Sequence, residues 1–292
     1  MTHSAPNPPK NMKGRLLTKE NISAFINHLH LEENSENTIE KYTRDVRAFA
    51  ASTGNTPIGK ETVIEFKQKL IDSGYAVSSI NSMLAAVNSL FDYLGWIDCK
   101  VKSIKMQRQI YCPENKELTK PEYLRLLSAA EDNHNIRLNL ILQTICGTGI
   151  RISELKYITV EAVKNGQAEV SCKGKNRVIF IVKKLKKKLL RYAKERHIKA
   201  GAIFITKSGK PVDRTNVWRE IKSLCKQAHV NPDKVFPHNL RHLFARTFDK
   251  LEKDIAKLAD ILGYSSINTT RRYIIPTGCE HLKRMENMRL VA

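Results

Sequence analysis

The sequence lacks long apolar runs, and no segment approaches the roughly 20 residues that a membrane-spanning helix needs. Residues 1–15 are polar and contain three prolines, so we expect no signal peptide. The chain has six cysteines, but no two are spaced as Cys-x-x-Cys, which argues against a zinc ribbon or a thioredoxin-type site. These absences favour a cytoplasmic protein with reduced thiols and no membrane partner.

Acidic residues are scarce relative to basic ones. The 292 residues include 50 Lys and Arg against 29 Asp and Glu, which gives a formal net charge of +21. Residues 1–105 hold 13 basic and 11 acidic side chains, whereas the remainder holds 37 and 18. A basic surface kept only for solubility is one interpretation. An excess of this size, concentrated in the second part, favours a polyanionic partner.

The first part of the chain is typical of a small helical domain. Residues 1–14 are expected to form a disordered leader. Apolar residues then recur at helical spacing in four segments, which begin near residues 18, 36, 60 and 78. We expect Ser78 to cap the fourth helix and Gly95 to end it. The sequence therefore predicts a helical domain over residues 15–100, followed by a linker over 101–117.

The second part, residues 118–276, mixes helices with a small β-sheet. Thr119 and Pro121 open a helix, and an apolar helix follows at 134–146. Two short strands are predicted at 167–172 and 177–182 around a turn at 173–176, with a third at 203–205. Further helices are predicted at 183–199, 213–228, 239–250, 253–262 and 266–273. The fold class is thus mainly α with a small β-sheet, and residues 277–292 form an amphipathic tail.

Several side chains suited to phosphodiester chemistry lie near the C-terminus. His238 and Arg241 are three residues apart on a predicted helix, so they share a face. Arg271, Arg272 and Tyr273 follow about thirty residues later. Guanidinium groups match phosphate oxygens, histidine handles protons near neutral pH, and tyrosine can act as a covalent nucleophile. Taken alone, Tyr273 is better explained as a packed core tyrosine than as a nucleophile.

Two further candidates have simple structural alternatives. Arg151 follows a buried helix, and it could bind a phosphate or only pair with Glu154 at i,i+3. Lys173 lies at the tip of the predicted hairpin, where it could donate a proton to a leaving oxygen or be merely solvated. Lys175 lies two residues away and could replace it.

A metal site is not expected. His238 and His242 are four residues apart, but the zinc-protease pattern requires a glutamate after the first histidine, and that position holds Asn239. No third ligand is evident. We therefore expect no metal and no cofactor.

The order of these motifs carries more information than any one of them. The segment GTGIRISEL precedes a hairpin lysine, which precedes HNLRH, LGYSS and TTRRYI. This series over residues 117–276 resembles the catalytic domain of the tyrosine recombinases, the phage integrase family. The helical domain resembles that family's core-binding (SAM-like) domain. With no further N-terminal arm-binding domain expected, the layout is similar to that of Xer-type recombinases and short integrases.

The resemblance assigns roles residue by residue. Arg151 and Arg241 match the two catalytic arginines, and Lys173 matches the hairpin lysine. His238 matches the histidine of the HxLR motif, and Tyr273 matches the nucleophile. These roles imply an enzyme that cleaves and rejoins DNA through a 3′-phosphotyrosyl intermediate and a Holliday junction.

One position departs from the family pattern. The usual Leu-Gly-His appears here with Tyr264 as its third residue. A phenol can still donate a hydrogen bond to a phosphate oxygen, so we retain Tyr264 as catalytic, with Glu154 in a supporting role. The expected DNA-phosphate contacts are Lys175, Arg177, Arg271 and Arg272. The basic predicted helix at 183–199 is expected to bind phosphates without sequence preference.

The implied partners are double-stranded DNA and other protomers, as a homotetramer on DNA or with a second recombinase, and the tail is expected to dock on a neighbouring subunit. Two alternatives remain open at this point. One is a type IB topoisomerase-like enzyme that nicks and closes DNA. The other is a DNA-binding factor that keeps the scaffold without catalysis.

Overall fold

The computed structural model describes residues 15–54, 56–106, 116–172, 175–206, 208–264, 266–275 and 278–288. The chain divides into two compact units, Met1–Arg108 and Gln109–Ala292. Both are mainly helical, and the second contains a two-stranded sheet, so the predicted fold class is confirmed. Across the described ranges, no helix is long and apolar enough to cross a bilayer.

Four helices form the first unit, as predicted. They are α1 (Lys19–Leu31), α2 (Glu36–Thr53), α3 (Lys60–Asp72) and α4 (Val77–Leu94). Helix α4 is central because it contributes to two apolar clusters. Ala86 and Leu90 pack with residues of α1 and α2, whereas Ile80, Leu84 and other α4 residues pack with α3.

The predicted cap at Ser78 is wrong. The amides of Ser79 and Ile80 donate to the carbonyl oxygen of Ala76 at 2.8 and 3.0 Å, so the helical path begins before Ser78. Ala76 is the N-cap residue and makes no side-chain hydrogen bond. Gly95 ends the helix in the left-handed conformation, at φ 70°, as predicted.

Two asparagines of α4 bind the chain that leaves the first unit. The Asn88 side chain exchanges hydrogen bonds with the backbone of Val101, at 2.9 and 3.2 Å. The Asn81 side chain does the same with Ile104, at 2.9 and 2.7 Å. The start of the predicted linker is therefore fixed to α4, because each amide satisfies one backbone donor and one acceptor.

The second unit surrounds a buried helix. Its elements are α5 (Lys120–Asp132), α6 (Ile136–Thr148), α7 (Val160–Asn165), β1 (Gln167–Cys172), β2 (Lys175–Phe180), α8 (Lys183–Glu195), α9 (Arg214–Leu224), α10 (Pro237–Glu252), α11 (Ile255–Leu262), α12 (Ile267–Arg271) and α13 (Gly278–Asn287). Helix α6 is buried along most of its length, and α5, α8, α9 and α10 all contact it. Thr119 opens α5, as predicted, and it also forms a capping box with Glu122.

Several predicted boundaries in this unit are wrong. Strand β2 begins at Lys175, paired with Cys172, so Lys175 and Asn176 belong to the strand and not to the turn. Residues 203–205 form no strand, and only isolated bridges join Thr159 to Ala202 and Ile205 to Pro211. Helix α8 ends at Glu195, because His197 adopts a positive φ that interrupts the helical path. Helix α12 ends at Arg271, so Tyr273 lies in the turn after it.

Candidate active site

Arg241 lies at the centre of the candidate site. It projects from α10 and is buried, with 1% of its surface exposed. Its guanidinium donates to the carbonyl oxygens of Gly149 and, at 2.7 Å, of Leu262. These carbonyls lie at the ends of α6 and α11, where helices have unpaired acceptors and a negative partial charge. One guanidinium therefore joins the ends of α6 and α11 to α10.

Gly149 is required by the close packing around this junction. Its φ of +65° lies in the left-handed region, and an added Cβ would lie 2.5 Å from Cδ1 of Phe244. A side chain at this position would push against α10, which carries Arg241. The glycine thus allows the end of α6 to approach α10 closely before the chain turns outward to Arg151.

Arg151 is held by Glu154, as the i,i+3 spacing predicts. The Glu154 carboxylate is buried and accepts from the backbone amide and the guanidinium of Arg151, both at 2.9 Å. Arg177 of β2 donates to the same carboxylate. Burial disfavours the charged carboxylate, but the Arg151 amide and the charges of Arg177 and Arg151 outweigh it and lower the pKa of Glu154.

The Arg177 side chain, which the sequence predicts to contact a DNA phosphate, is already bound within the protein. Its side chain is only 10% exposed, and its guanidinium donates to Glu154 and, at 2.8 Å, to the carbonyl of Ile261. These contacts tie β2 to α11 and to the Arg151 turn. The expected contact between Arg177 and DNA stays a prediction. The hydrogen bonds to Glu154 and Ile261 instead hold the Arg151 turn and the end of α11 in position.

Tyr264 and Tyr273 meet at their hydroxyl groups. The two oxygens are 2.5 Å apart, and the rings are 5.5 Å apart between centroids. The Arg151 and Arg241 guanidinium carbons lie 4.9 and 5.1 Å from the centroid of the Tyr264 ring. Arg241 also lies 5.8 Å from the Tyr273 ring. The structure therefore gathers both arginines and both phenols of the sequence-predicted site within one chain.

The two phenols differ in acidity. Burial and the hydrogen bond with Tyr264 raise the pKa of Tyr273 to about 12. Burial also opposes ionisation of Tyr264, but the hydrogen bond from Tyr273 and the charges of Arg241 and Arg151 outweigh it and lower the pKa of Tyr264. Negative charge in the pair is therefore more stable on Tyr264.

His242 is a site residue whose position the sequence did not indicate. Its ring stacks on that of Tyr273, with 4.2 Å between centroids and 28° between planes. Burial, followed by the influence of His238, lowers the pKa of His242 to about 4, so the ring is neutral near pH 7. Spacing along α10 suggested it only as a partner of His238 for a metal. The stacking of His242 on Tyr273 could not be predicted from local spacing, because Tyr273 lies in a turn about thirty residues later.

His238 lies at the exposed edge of the site. The protein atoms packed beside it, and then the positive charges of Arg214, Arg241 and Arg151, lower its pKa. An exposed neutral imidazole beside several cations is suited to contact a phosphate or a water molecule.

The structure gives less detail for the remaining candidate residues. Lys173 lies outside the described residues, and Lys175 opens β2. Arg271 and Arg272 are exposed next to the turn that carries Tyr273. Within the described ranges, no group of three His, Cys, Asp or Glu residues could hold a metal ion.

Family models match both units of the chain. Residues 116–277 match the model of the phage integrase family, and residues 22–97 match that of the phage integrase N-terminal SAM-like domain. The tyrosine recombinase XerA of Pyrococcus horikoshii is 30% identical over 286 residues, which cover 94% of this chain and 96% of the relative.

Two solved structures show the same fold. A lambda integrase dimer bound to a COC′ core site aligns with a TM-score of 0.74 at 18% identity, over 90% of this chain and 96% of that one. A lambda integrase tetramer bound to a Holliday junction aligns with a TM-score of 0.71 at 18% identity, over 87% of this chain and 76% of that one.

Proposed function

Because the chain belongs to the phage integrase family, the tyrosine recombinases, we propose that it is a site-specific recombinase whose nucleophile is Tyr273. The observation that carries the proposal is the position of the Tyr273 hydroxyl. It is hydrogen-bonded to Tyr264, whose ring lies against Arg151 and Arg241. A phenol beside two guanidinium groups is suited to attack a phosphodiester.

The reaction conserves the energy of the phosphodiester. The Tyr273 oxygen forms a bond to phosphorus, and the bond from phosphorus to the 5′-oxygen breaks, which leaves a 3′-phosphotyrosyl link and a free 5′-hydroxyl. Arg151 and Arg241 neutralise charge that develops on the nonbridging oxygens. Lys173 protonates the departing 5′-oxygen, as the family resemblance implies, and His238 contacts a phosphate oxygen. A 5′-hydroxyl from a second strand reverses the steps.

Double-stranded DNA is the proposed substrate. The net charge of +21 and the exposed lysines along α8 support binding to the phosphate backbone. In this proposal Arg271 and Arg272, which are exposed next to the turn that carries Tyr273, contact phosphates near the cleavage point. We also propose that the enzyme acts in the cytoplasm, where it can reach DNA.

Four protomers, or two pairs of related recombinases, are the proposed assembly on DNA. The fold shared with the lambda integrase tetramer supports this arrangement. Helix α13 supports it too, because its side chains Leu282 and Met285 are exposed, as is Met288 directly after the helix. Arg246 and Lys250 of α10 bind Glu280 near the start of this helix, at 2.6 and 3.2 Å. We propose that the exposed face beyond this anchor docks on a neighbouring protomer.

The nucleophile can be tested with a nicked suicide duplex. The recognition site is first selected from randomised duplex DNA by binding to Tyr273→Phe protein. A nick beside the cleavage position then lets the short fragment that carries the free 5′-hydroxyl diffuse away, which traps the covalent adduct. We expect wild-type protein to form the adduct, Tyr273→Phe to form none, and the matched control Tyr192→Phe, altered at a buried tyrosine of α8, to match wild type.

Two outcomes would contradict the proposal. An adduct with Tyr273→Phe would exclude Tyr273 as the nucleophile, and no adduct with any variant would favour a DNA-binding factor without catalysis. Resolution of a synthetic four-way junction then separates a recombinase from a topoisomerase-like enzyme, which would relax supercoiled plasmid but leave the junction intact.

A further inference from the structure

The hydrogen bond between the two phenols assigns a specific role to Tyr264. We propose that the Tyr264 oxygen is the base that accepts the proton of Tyr273 when Tyr273 attacks DNA. This inference rests on the proposed function, because it names the proton acceptor of the same site. The family pattern has histidine at this position, whereas this chain has Tyr264, so the proposed role is specific to the tyrosine.

The geometry meets the first requirement for a general base. Its oxygen must lie within hydrogen-bond reach of the proton it removes, and the two phenolic oxygens are 2.5 Å apart. Charge-assisted O–H···O⁻ hydrogen bonds have lengths of about 2.5–2.7 Å. In the part of the chain that the structure describes, Tyr264 is the hydrogen-bond partner of the Tyr273 hydroxyl, and His238 makes no hydrogen bond to it.

The charges around the pair favour a proton on Tyr273 and negative charge on Tyr264. Arg151 and Arg241 lie 4.9 and 5.1 Å from the Tyr264 ring, whereas Tyr273 has Arg241 at 5.8 Å and the uncharged face of His242. In the part of the chain that the structure describes, the charges of Arg151 and Arg241 act on both phenols, and His242 stacks on Tyr273. Glu154, Arg177 and His238 lie beside these groups, and Arg271 and Arg272 precede Tyr273 in the chain. The lowered pKa of Tyr264 agrees with this placement.

The proton and bond changes balance. The form of Tyr264 that acts as the base is its phenolate, to which Tyr273 donates its hydrogen bond. As the Tyr273 oxygen bonds to phosphorus, its proton moves to the Tyr264 oxygen, while the 5′-oxygen departs and takes a proton from the separate acid of the proposed mechanism. In the reverse step, Tyr264 returns the proton to Tyr273 as the phosphotyrosyl bond breaks.

The competing explanation is that Tyr264 only contacts a phosphate oxygen. A phenol that merely donates a hydrogen bond would contribute equally at every pH below its own ionisation. A base contributes most where Tyr273 cannot ionise by itself. The two roles therefore predict different pH profiles for the variant that lacks the hydroxyl.

The test measures single-turnover adduct formation on the nicked suicide duplex as a function of pH. We expect Tyr264→Phe to form the adduct about 10²- to 10⁴-fold more slowly at pH 7, the usual contribution of a general base. The deficit should shrink as pH rises, because Tyr273 then ionises without help. Tyr264→His should recover most of the rate, with the rise moved toward the imidazole pKa near 6.5. DNA binding by each variant, measured in parallel, should match wild type.

A second measurement follows the phenols without DNA. Near-ultraviolet titration of the free protein should show one phenolate that forms below the ordinary tyrosine pKa of about 10 in wild type and not in Tyr264→Phe. The proposal is overturned by a deficit that is equal at all pH values, by an unchanged rate in Tyr264→Phe, or by the absence of this phenolate. An adduct that persists in Tyr273→Phe would instead refute the proposed function, and the titration would still test the proton pair.

Discussion

Replacing Glu154 with glutamine removes the carboxylate that holds two arginines of the site. Its side chain is 3% exposed and accepts from Arg151 twice and from Arg177 once. Breaking a buried ion pair by removing one partner costs about 3–5 kcal/mol. Arg151 is 29% exposed and water can solvate it, so we expect a loss near the lower limit, about 3 kcal/mol. Arg177 carries most of this cost, since it is only 10% exposed.

The assay is urea unfolding of the full chain, followed by tryptophan fluorescence. The two tryptophans lie in different units, Trp96 in the first and Trp218 in the second. In a Trp96→Phe background the signal reports the second unit alone. With a urea m-value of about 1–3 kcal/mol/M, the midpoint should fall by about 1–3 M. The matched control is Glu195→Gln, an exposed glutamate of α8, which should change stability by no more than about 0.5 kcal/mol.

The effect of Glu154→Gln should depend on pH in a defined direction. The pKa of Glu154 is lower in the folded protein than in the unfolded chain, where it is about 4.3. The stabilisation is therefore fully present above pH 4.3 and is lost as pH falls through the lower folded value. A midpoint shift no larger than that of Glu195→Gln, or a difference that persists unchanged in strong acid, would refute this reasoning.

Two further predictions concern the surroundings of the phenols. Gly149→Ala should destabilise the second unit in urea by more than Gly166→Ala, since both positions have positive φ but only the Gly149 Cβ would clash, with Phe244; equal losses would contradict the packing argument. His242→Phe should make the protein less sensitive to acid, because the folded pKa of about 4 lies below the unfolded value near 6.5 and wild type loses stability as pH falls between them. Parallel stability profiles of wild type and His242→Phe over that range would exclude a buried neutral imidazole.

The sequence predicted the helices and the charged pair more reliably than the phenols. Apolar residues at helical spacing are a local signal, and they located α1 to α4. The pairing of Arg151 with Glu154 is equally local, since residues three apart lie on one side of a helical turn. Resemblance to a family brought Tyr264 and Tyr273 into one site. Their hydroxyl contact could not be predicted, because it depends on how the chain turns at Gly263 and after α12.

Helical spacing also predicted a shared face for His238 and Arg241, but the two side chains have different environments. Arg241 is buried because it donates to the carbonyl oxygens of Gly149 and Leu262, which have no hydrogen-bond donor within their own helices. His238 lies one turn earlier, near the N-terminus of α10, and is exposed. Spacing along a helix predicts the direction in which a side chain points. Whether that side chain is buried depends on the hydrogen-bond partners that other segments supply.

A phenol at position 264 also changes the balance of charge in the site. Arg151 and Arg241 lie 4.9 and 5.1 Å from the centroid of the Tyr264 ring, and the charge of Arg151 helps to lower the pKa of Arg241, so the two cations repel each other before DNA arrives. Glu154 neutralises one side of Arg151, whereas Arg241 donates its hydrogen bonds to the neutral carbonyl oxygens of Gly149 and Leu262. An imidazole at position 264 could be neutral or positive, whereas a phenol can be neutral or negative. As a phenolate, Tyr264 can therefore offset the repulsion between the two arginines in the free protein. It loses its negative charge at the step in which both arginines bind the phosphate.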